Sequence, residues 1–264
     1  MKFFMAMTMF LVTLGSFYDC KSTMLTHLNC IALRTVKYSD RNNILTAYSR
    51  EMGRVALLMS AGGSREAVRR RAVTMPLTPF ECIADVRPGR DIYNVREPRA
   101  LLPLHGLHSN PVKGAVAMFM AELLGTVLTE SQEDAALYAF LVDSIERFDS
   151  MSRGVANFHL AFLYRLGRYI GIEPDVSTYA PGRVFDMVDG TFRSAPPLHR
   201  RFLPPEDAAT VALLSRMTWD NLAAFRFSRN QRNSTLTAIL EYYTLHYAAL
   251  SGLNSLDVMR RLFD

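Results

Sequence analysis

Apolar and polar side chains alternate through Leu28–Tyr38, Ile44–Ser49 and Arg54–Ser60. This is the pattern of half-buried antiparallel strands, whose successive side chains point to opposite faces. Asp40-Arg41-Asn42-Asn43 and Glu51-Met52-Gly53 supply turn residues between these runs. Two more strands are expected at Phe80–Arg87 and Asp91–Glu97, on either side of a Pro88-Gly89 turn. Five short strands with one longer break after the third match the oligonucleotide-binding (OB) barrel, and an SH3-like barrel has the same strand count.

Pro98, Pro103, Gly106 and Pro111 then punctuate a linker, and the periodicity becomes helical. Val112–Thr129 is apolar apart from Lys113 and Glu122, which predicts a helix deep in a bundle. Thr129, Ser131 and Asp134 offer start signals for a helix to about Ser150, and Gly154–Tyr169 predicts a third. VFDMVDGTFRS reads as a hairpin turning at Asp189-Gly190. Further helices are expected at Pro205–Arg216, Trp219–Phe227, Gln231–Leu250 and Ser255–Phe263. The fold class is therefore α+β: a five-stranded OB-type β barrel over residues 24–103, then an α-helical bundle over 104–264 with one hairpin excursion around 183–194.

Charge sharpens this division. Residues 24–103 hold 13 Lys+Arg against 7 Asp+Glu, while 104–264 hold 15 against 17. Only the first part carries a net attraction for polyanions. Cys20, Cys30 and Cys82 make neither a disulfide framework nor a four-thiolate zinc site, and Cys30 and Cys82 fall at strand positions where a free cysteine acts as a small buried hydrophobe. A reducing cytoplasm fits that usage. Ahead of the barrel, Lys2 precedes an apolar run from Phe3 to Tyr18, short for a membrane span and without a clean small-x-small cleavage site. Met24 offers a second initiation point, so residues 1–23 are expected to be a non-native extension; an export signal or membrane tether is the rival reading.

No G-x-S-x-G elbow, phosphate loop, H-E-x-x-H or dinucleotide fingerprint is present, which argues against an enzyme. His105 and His108 lie three apart without companion ligands, and Asp186 and Asp189 are read as turn-shaping residues. The basic set is more pointed. Arg34, Lys37, Arg41, Arg50, Arg54, Arg65, Arg69, Arg70 and Arg71 accompany the first three strands, interleaved with Tyr38 and Tyr48. Single strands are held by cations spaced along phosphates and by flat side chains on which bases stack. A solvated barrel face bearing the same arginines is the alternative, and no pattern specifies base-edge readout. Near the C-terminal helix, Arg229, Arg232, Tyr243 and His246 suggest a groove with a basic rim for a partner's acidic carboxyl tail; aromatic residues at this density also serve simply as bundle core.

Several ordered motifs resemble the RecO family of bacterial recombination mediators. They are Leu33-Arg34, Tyr38-Ser39-Asp40, Ser49-Arg50-Glu51-Met52-Gly53-Arg54, Leu77–Phe80, Leu166–Gly171, Leu240–His246 and Leu253–Phe263. The resemblance covers about residues 24–264. It implies DNA repair by homologous recombination, binding of single- and double-stranded DNA, annealing of complementary strands and help in loading RecA. The implied protein partners are RecR, RecF and the C-terminal tail of single-stranded-DNA-binding protein (SSB), with no small-molecule substrate, in the cytoplasm at the nucleoid. Many members carry a four-cysteine zinc finger in the helical domain. Here no cysteine follows Glu173, so neither zinc nor another cofactor is expected. A protein-interaction adaptor and an RNA-binding module without annealing activity remain the competing functions.

Overall fold

The computed structural model describes residues 24–61, 70–130, 132–247, 250 and 252–262. Five strands form a closed barrel: β1 (Met24–Lys37), β2 (Asn42–Ser49), β3 (Gly53–Ser60), β4 (Pro79–Val86) and β5 (Ile92–Ala100). Their order round the barrel is β1-β2-β3-β5-β4, all antiparallel except the short parallel ladder Ala56–Leu58 against Ile92–Asn94. β1 begins four residues earlier than alternation from Leu28 predicts, because its first half pairs with β4 and its second half with β2. A bulge between Ala32 and Arg34, inside the part paired with β2, leaves Leu33 unpaired and bends the strand. Leu28, Cys30, Leu45, Ala47, Leu57, Phe80 and Cys82 fill the interior, so both described cysteines are buried free thiols.

The helical part consists of α1 (His105–Ser109), α2 (Pro111–Val127), α3 (Ala135–Ser150), α4 (Val155–Tyr169), α5 (Pro205–Leu214), α6 (Arg229–His246) and α7 (Leu256–Arg261). Pro111 opens α2 at a position needing no backbone donor, and Asn110 accepts from Val112 N and Lys113 N. The start signal for α3 proves to be Asp134, whose carboxylate accepts from Leu137 N. Ser228 and Gln231 close a reciprocal capping box on α6. Phe158 stacks between Phe148 and Trp219, with centroids at 4.2 and 4.9 Å, at the centre of the bundle.

One expected helix fails through a long-range contact, and the expected hairpin forms with a wider turn. Trp219–Phe227 is not a helix; only a 3-10 turn forms, at Leu222–Ala224. The Asn157 amide on α4 donates to Leu222 O and Phe225 O, which places those carbonyls against a neighbouring helix. The hairpin of β6 (Val184–Asp186) and β7 (Thr191–Arg193) pairs Asp186 with Thr191, so four residues form its loop rather than a tight Asp-Gly pair. The buried Asp186 carboxylate accepts from Val188 N and Asp189 N and pairs with Arg193 at 2.9 Å, holding that wider turn. β8 (Phe202–Leu203) adds to the other side of β6.

The barrel meets the helices through the outer side of β1 and the β2–β3 turn. Ile31, Leu33 and Tyr48 point outward and are buried in the same apolar cluster as Phe119, Leu123 and Leu124 of α2. The turn is built by Ser49 and Glu51. The Glu51 carboxylate accepts from Asn29 N, Asn29 Nδ2 and Ser49 Oγ, while Ser49 Oγ accepts from Glu51 N and Met52 N. Arg54 N then donates to Glu130 O at 3.0 Å, in the link between α2 and α3. Gly53 has φ +62°, and a Cβ there would lie 2.6 Å from Glu130 O and 2.7 Å from Gln132 N. No side chain fits. Gly53→Ala is therefore expected to destabilise the protein by about 2–4 kcal/mol, combining left-handed strain with overpacking. Gly89→Ala, at φ +74° with nothing within 4 Å, meets only the strain. Its expected cost is about 1 kcal/mol. Urea unfolding of both variants checks the difference; equal midpoints would refute the close-approach argument.

Candidate nucleic-acid interface

The outer face of β1-β2-β3-β5 is roofed by helices at one end and open at the other. In the open part, two rows of side chains run across the strands. Arg34, Thr46, Ala56 and Ile92 form one, and Val36, Ile44, Leu58 and Asn94 form the next. Neighbouring strands are roughly 4.8 Å apart, so each row spans about 14 Å. Val36 and Ile92 are exposed and Ile44 and Leu58 half-buried, which leaves an apolar strip open to solvent. Arg34 stands at its β1 edge. Arg96, two residues beyond Asn94, shares the outward facing of β5, and Arg90 precedes Ile92 in the β4–β5 turn. Arg54, two residues before Ala56 on β3, lies at the roofed end of the same face.

The sequence-derived set therefore divides. Arg34 and Arg54 belong to this face. Lys37, Tyr38 and Arg41 sit at the β1–β2 turn beyond its open end, with Tyr38 63% exposed. Arg50 is at the other end of β2, in the turn against the helices, and its backbone N donates to Asn29 O. Arg70 and Arg71 lie on a helical turn over residues 70–73. That turn leads to Leu77, whose N donates to Ala32 O beside the β1 bulge. Arg65 and Arg69 fall outside the described residues.

Tyr48 is corrected as a stacking platform. It is 3% exposed and packs among helical core residues, where burial and the charge of Asp134 push its hydroxyl up to about 12. The proposed tail site is corrected too. Tyr243 is buried with its hydroxyl donating to Leu163 O, and Arg232 Nη1 donates to Phe227 O. Arg229 and His246 occupy opposite ends of α6. An α-helix rises 1.5 Å per residue, which separates them by about 25 Å. These four residues form no common surface.

Arg87, Arg90, Arg96 and Arg99 were missed because closure of the barrel by β5 is a non-local pairing. The signal was a second arginine group around Pro88-Gly89, four cations against Asp91 and Glu97 within residues 87–99. Charge pairing separates these cations further. Lys37 pairs with Asp40 at 3.0 Å and Arg99 with Glu97 at 3.0 Å. Arg87 donates through Nε and Nη2 to both Asp85 oxygens, which holds the Asp85 carboxyl below its ordinary value. Arg34, Arg41, Arg50, Arg90 and Arg96 make no ion pair with a described residue. The face can thus hold an extended polyanion between Arg34 on one side and Arg90 and Arg96 on the other, with apolar surface between them for bases.

Beside Arg34, α7 is fastened to α2 by one carboxylate. Glu122 accepts from Asn254 N and Nδ2 and from Ser255 N and Oγ. Burial alone would raise this carboxyl, but the hydrogen bonds from Ser255 and Asn254 outweigh it and hold the group below its ordinary value. Among the described residues no group of three or more His, Cys, Asp or Glu is placed to hold a metal ion, and no helix is long and apolar enough to cross a membrane.

A closed five-stranded barrel with this cationic, part-apolar face defines a protein of the OB-fold class carrying a helical body. Models of Recombination protein O match the chain in two parts, the N-terminal model over residues 24–102 and the C-terminal model over 108–257. The chain belongs to the RecO family. It is 39% identical over 234 residues to the DNA repair protein RecO of Phocaeicola vulgatus, covering 89% of this chain and 97% of that one. The same-named proteins of Bacteroides fragilis and Porphyromonas gingivalis are each 36% identical, again across 89% of this chain and 97% of theirs. Family membership supports a role in DNA repair and recombination.

A depressed carboxyl stabilises the fold above its unfolded value and loses that contribution as pH falls through its folded value. Glu122→Gln should therefore lower the urea stability by about 1.5–3 kcal/mol at neutral pH, the range for hydrogen bonds to a charged acceptor. The gap to the unaltered protein should hold down to the ordinary carboxylate range and close below it. A gap that persists unchanged into strong acid would refute the clasp.

Proposed function

We propose that the protein is a non-enzymatic DNA-binding mediator of homologous recombination. It binds single- and double-stranded DNA, anneals complementary strands and helps load RecA on SSB-coated DNA. RecR, RecF and the SSB tail are its protein partners, and it works in the cytoplasm at the nucleoid. The observation that carries this reading is the open barrel face, where Arg34 and the Arg90–Arg96 edge flank an apolar strip. Cations on both sides of the strip neutralise phosphates, and the apolar middle accepts unstacked bases. Screening of two backbones on one surface lowers their repulsion and lets complementary bases meet. Arg41, Arg70 and Arg71 extend the field beyond the strip; Tyr38 supplies an exposed ring at its end.

Two measurements test the proposal. Binding to a single-stranded oligonucleotide should weaken with salt, and Arg34→Ala, Arg90→Ala and Arg96→Ala should each reduce the slope of log affinity against log salt by up to about 0.7. Strand annealing on SSB-coated DNA should fall in the triple variant. Unaltered slopes in all three variants would remove this face from the site, and preference for RNA over DNA of the same sequence would favour an RNA-binding module.

A further inference from the structure

We propose that the groove between the barrel and the helical body takes one unstacked base of a DNA strand lying on the barrel face. This inference rests on the DNA-binding reading above and assigns that surface a further subsite.

The groove encloses about 460 Å³ and opens directly beside Arg34. Small-ligand clefts span roughly 300–1,000 Å³. One wall is the β1 bulge at Leu33–Thr35 with Pro76, and the other is Met118 of α2 with Val258 of α7. Met118 is 59% exposed on a helix whose other large apolar side chains are mainly buried, and Val258 is 54% exposed beside the buried Met259. Two opposed apolar walls suit a flat heterocycle. A methionine sulfur makes favourable contacts with aromatic ring edges, and a guanidinium stacks on base planes.

Charge settles which part of a nucleotide enters. At the barrel side the groove holds Arg34, which makes no ion pair with a described residue, and Thr74, which accepts no charge but ties to Arg71 O through its N and Oγ1. Among the described residues that line the helix side, the only ionised group is Glu122, whose two oxygens are already engaged by Asn254 and Ser255. A phosphate is therefore attracted to the Arg34 edge and repelled from the helix side. The base, which is neutral, goes in. The subsite adjoins the apolar strip through Arg34, which belongs both to a strand row of the barrel face and to the groove lining. A duplex keeps its bases stacked and cannot use it.

The test pairs Met118→Gln with Val258→Thr in the full chain, two exposed substitutions that keep volume and add no charge. The probes are a thymidine oligonucleotide carrying one 2-aminopurine and a duplex of the same length. The double variant should bind the single strand about five-fold or more weakly, the lower limit for loss of one stacked base. Its duplex affinity and thermal midpoint should match the unaltered protein, and its 2-aminopurine signal should be reduced. Equal single-strand affinity and signal in both proteins would overturn the subsite while leaving the barrel-face reading intact. No binding of either probe to the unaltered protein would overturn both. A change of oligomeric state in the variant without a change in DNA binding would also overturn it, making the groove a contact between copies.

Discussion

The fit of Gly53 against the backbone at Glu130 and Gln132 is the constraint from which the rest of the arrangement follows. It brings the β2–β3 turn within hydrogen-bonding distance of the α2–α3 link, and Arg54 N uses that approach. Ser49 and Glu51 fix the turn so that its glycine arrives there in the left-handed conformation. Once the turn is seated, Ile31, Leu33 and Tyr48 are carried into the helical core, and one end of the barrel's outer face is closed. The other end is left facing solvent. A side of the barrel that alternation alone would make uniform is thereby divided into a structural part and a binding part.

This division explains what could be read in the sequence. The strands were legible because a period of two survives wherever one face is core, as in Leu45, Ala47, Val55 and Leu57. The role of Tyr48 was not, because the face opposite the barrel interior is itself core at this position. A tyrosine among arginines looks the same in sequence whether helices or water cover it. The Trp219–Phe227 segment misled for a related reason: its apolar residues do face the bundle, but the Asn157 side chain, more than sixty residues upstream, takes its carbonyls. Such long-range competition leaves no local trace.

The cationic surface was half legible. Arginines around β1 to β3 form a dense cluster in sequence and were found; those on β5 come beside Arg34's face only through the parallel ladder that closes the barrel. Proximity in sequence also overstated convergence. Arg50 and Arg41 lie at opposite ends of β2, and Lys37 has Asp40 against it. The useful quantity is local charge after pairing, which leaves Arg34, Arg90 and Arg96 round an apolar strip rather than an even basic coat.

The hold of Glu122 on Asn254 and Ser255 spans 132 and 133 positions of the chain. During synthesis, which proceeds from the amino end, α2 must wait for that distant segment before its exposed Met118 side acquires a neighbour. Until then the barrel and most of the bundle can be complete while this flank stays bare. Completion of the cleft beside Arg34 thus marks the arrival of a late-made segment, and a ribosome-bound chain would display its basic strands before it owned the wall that accompanies them.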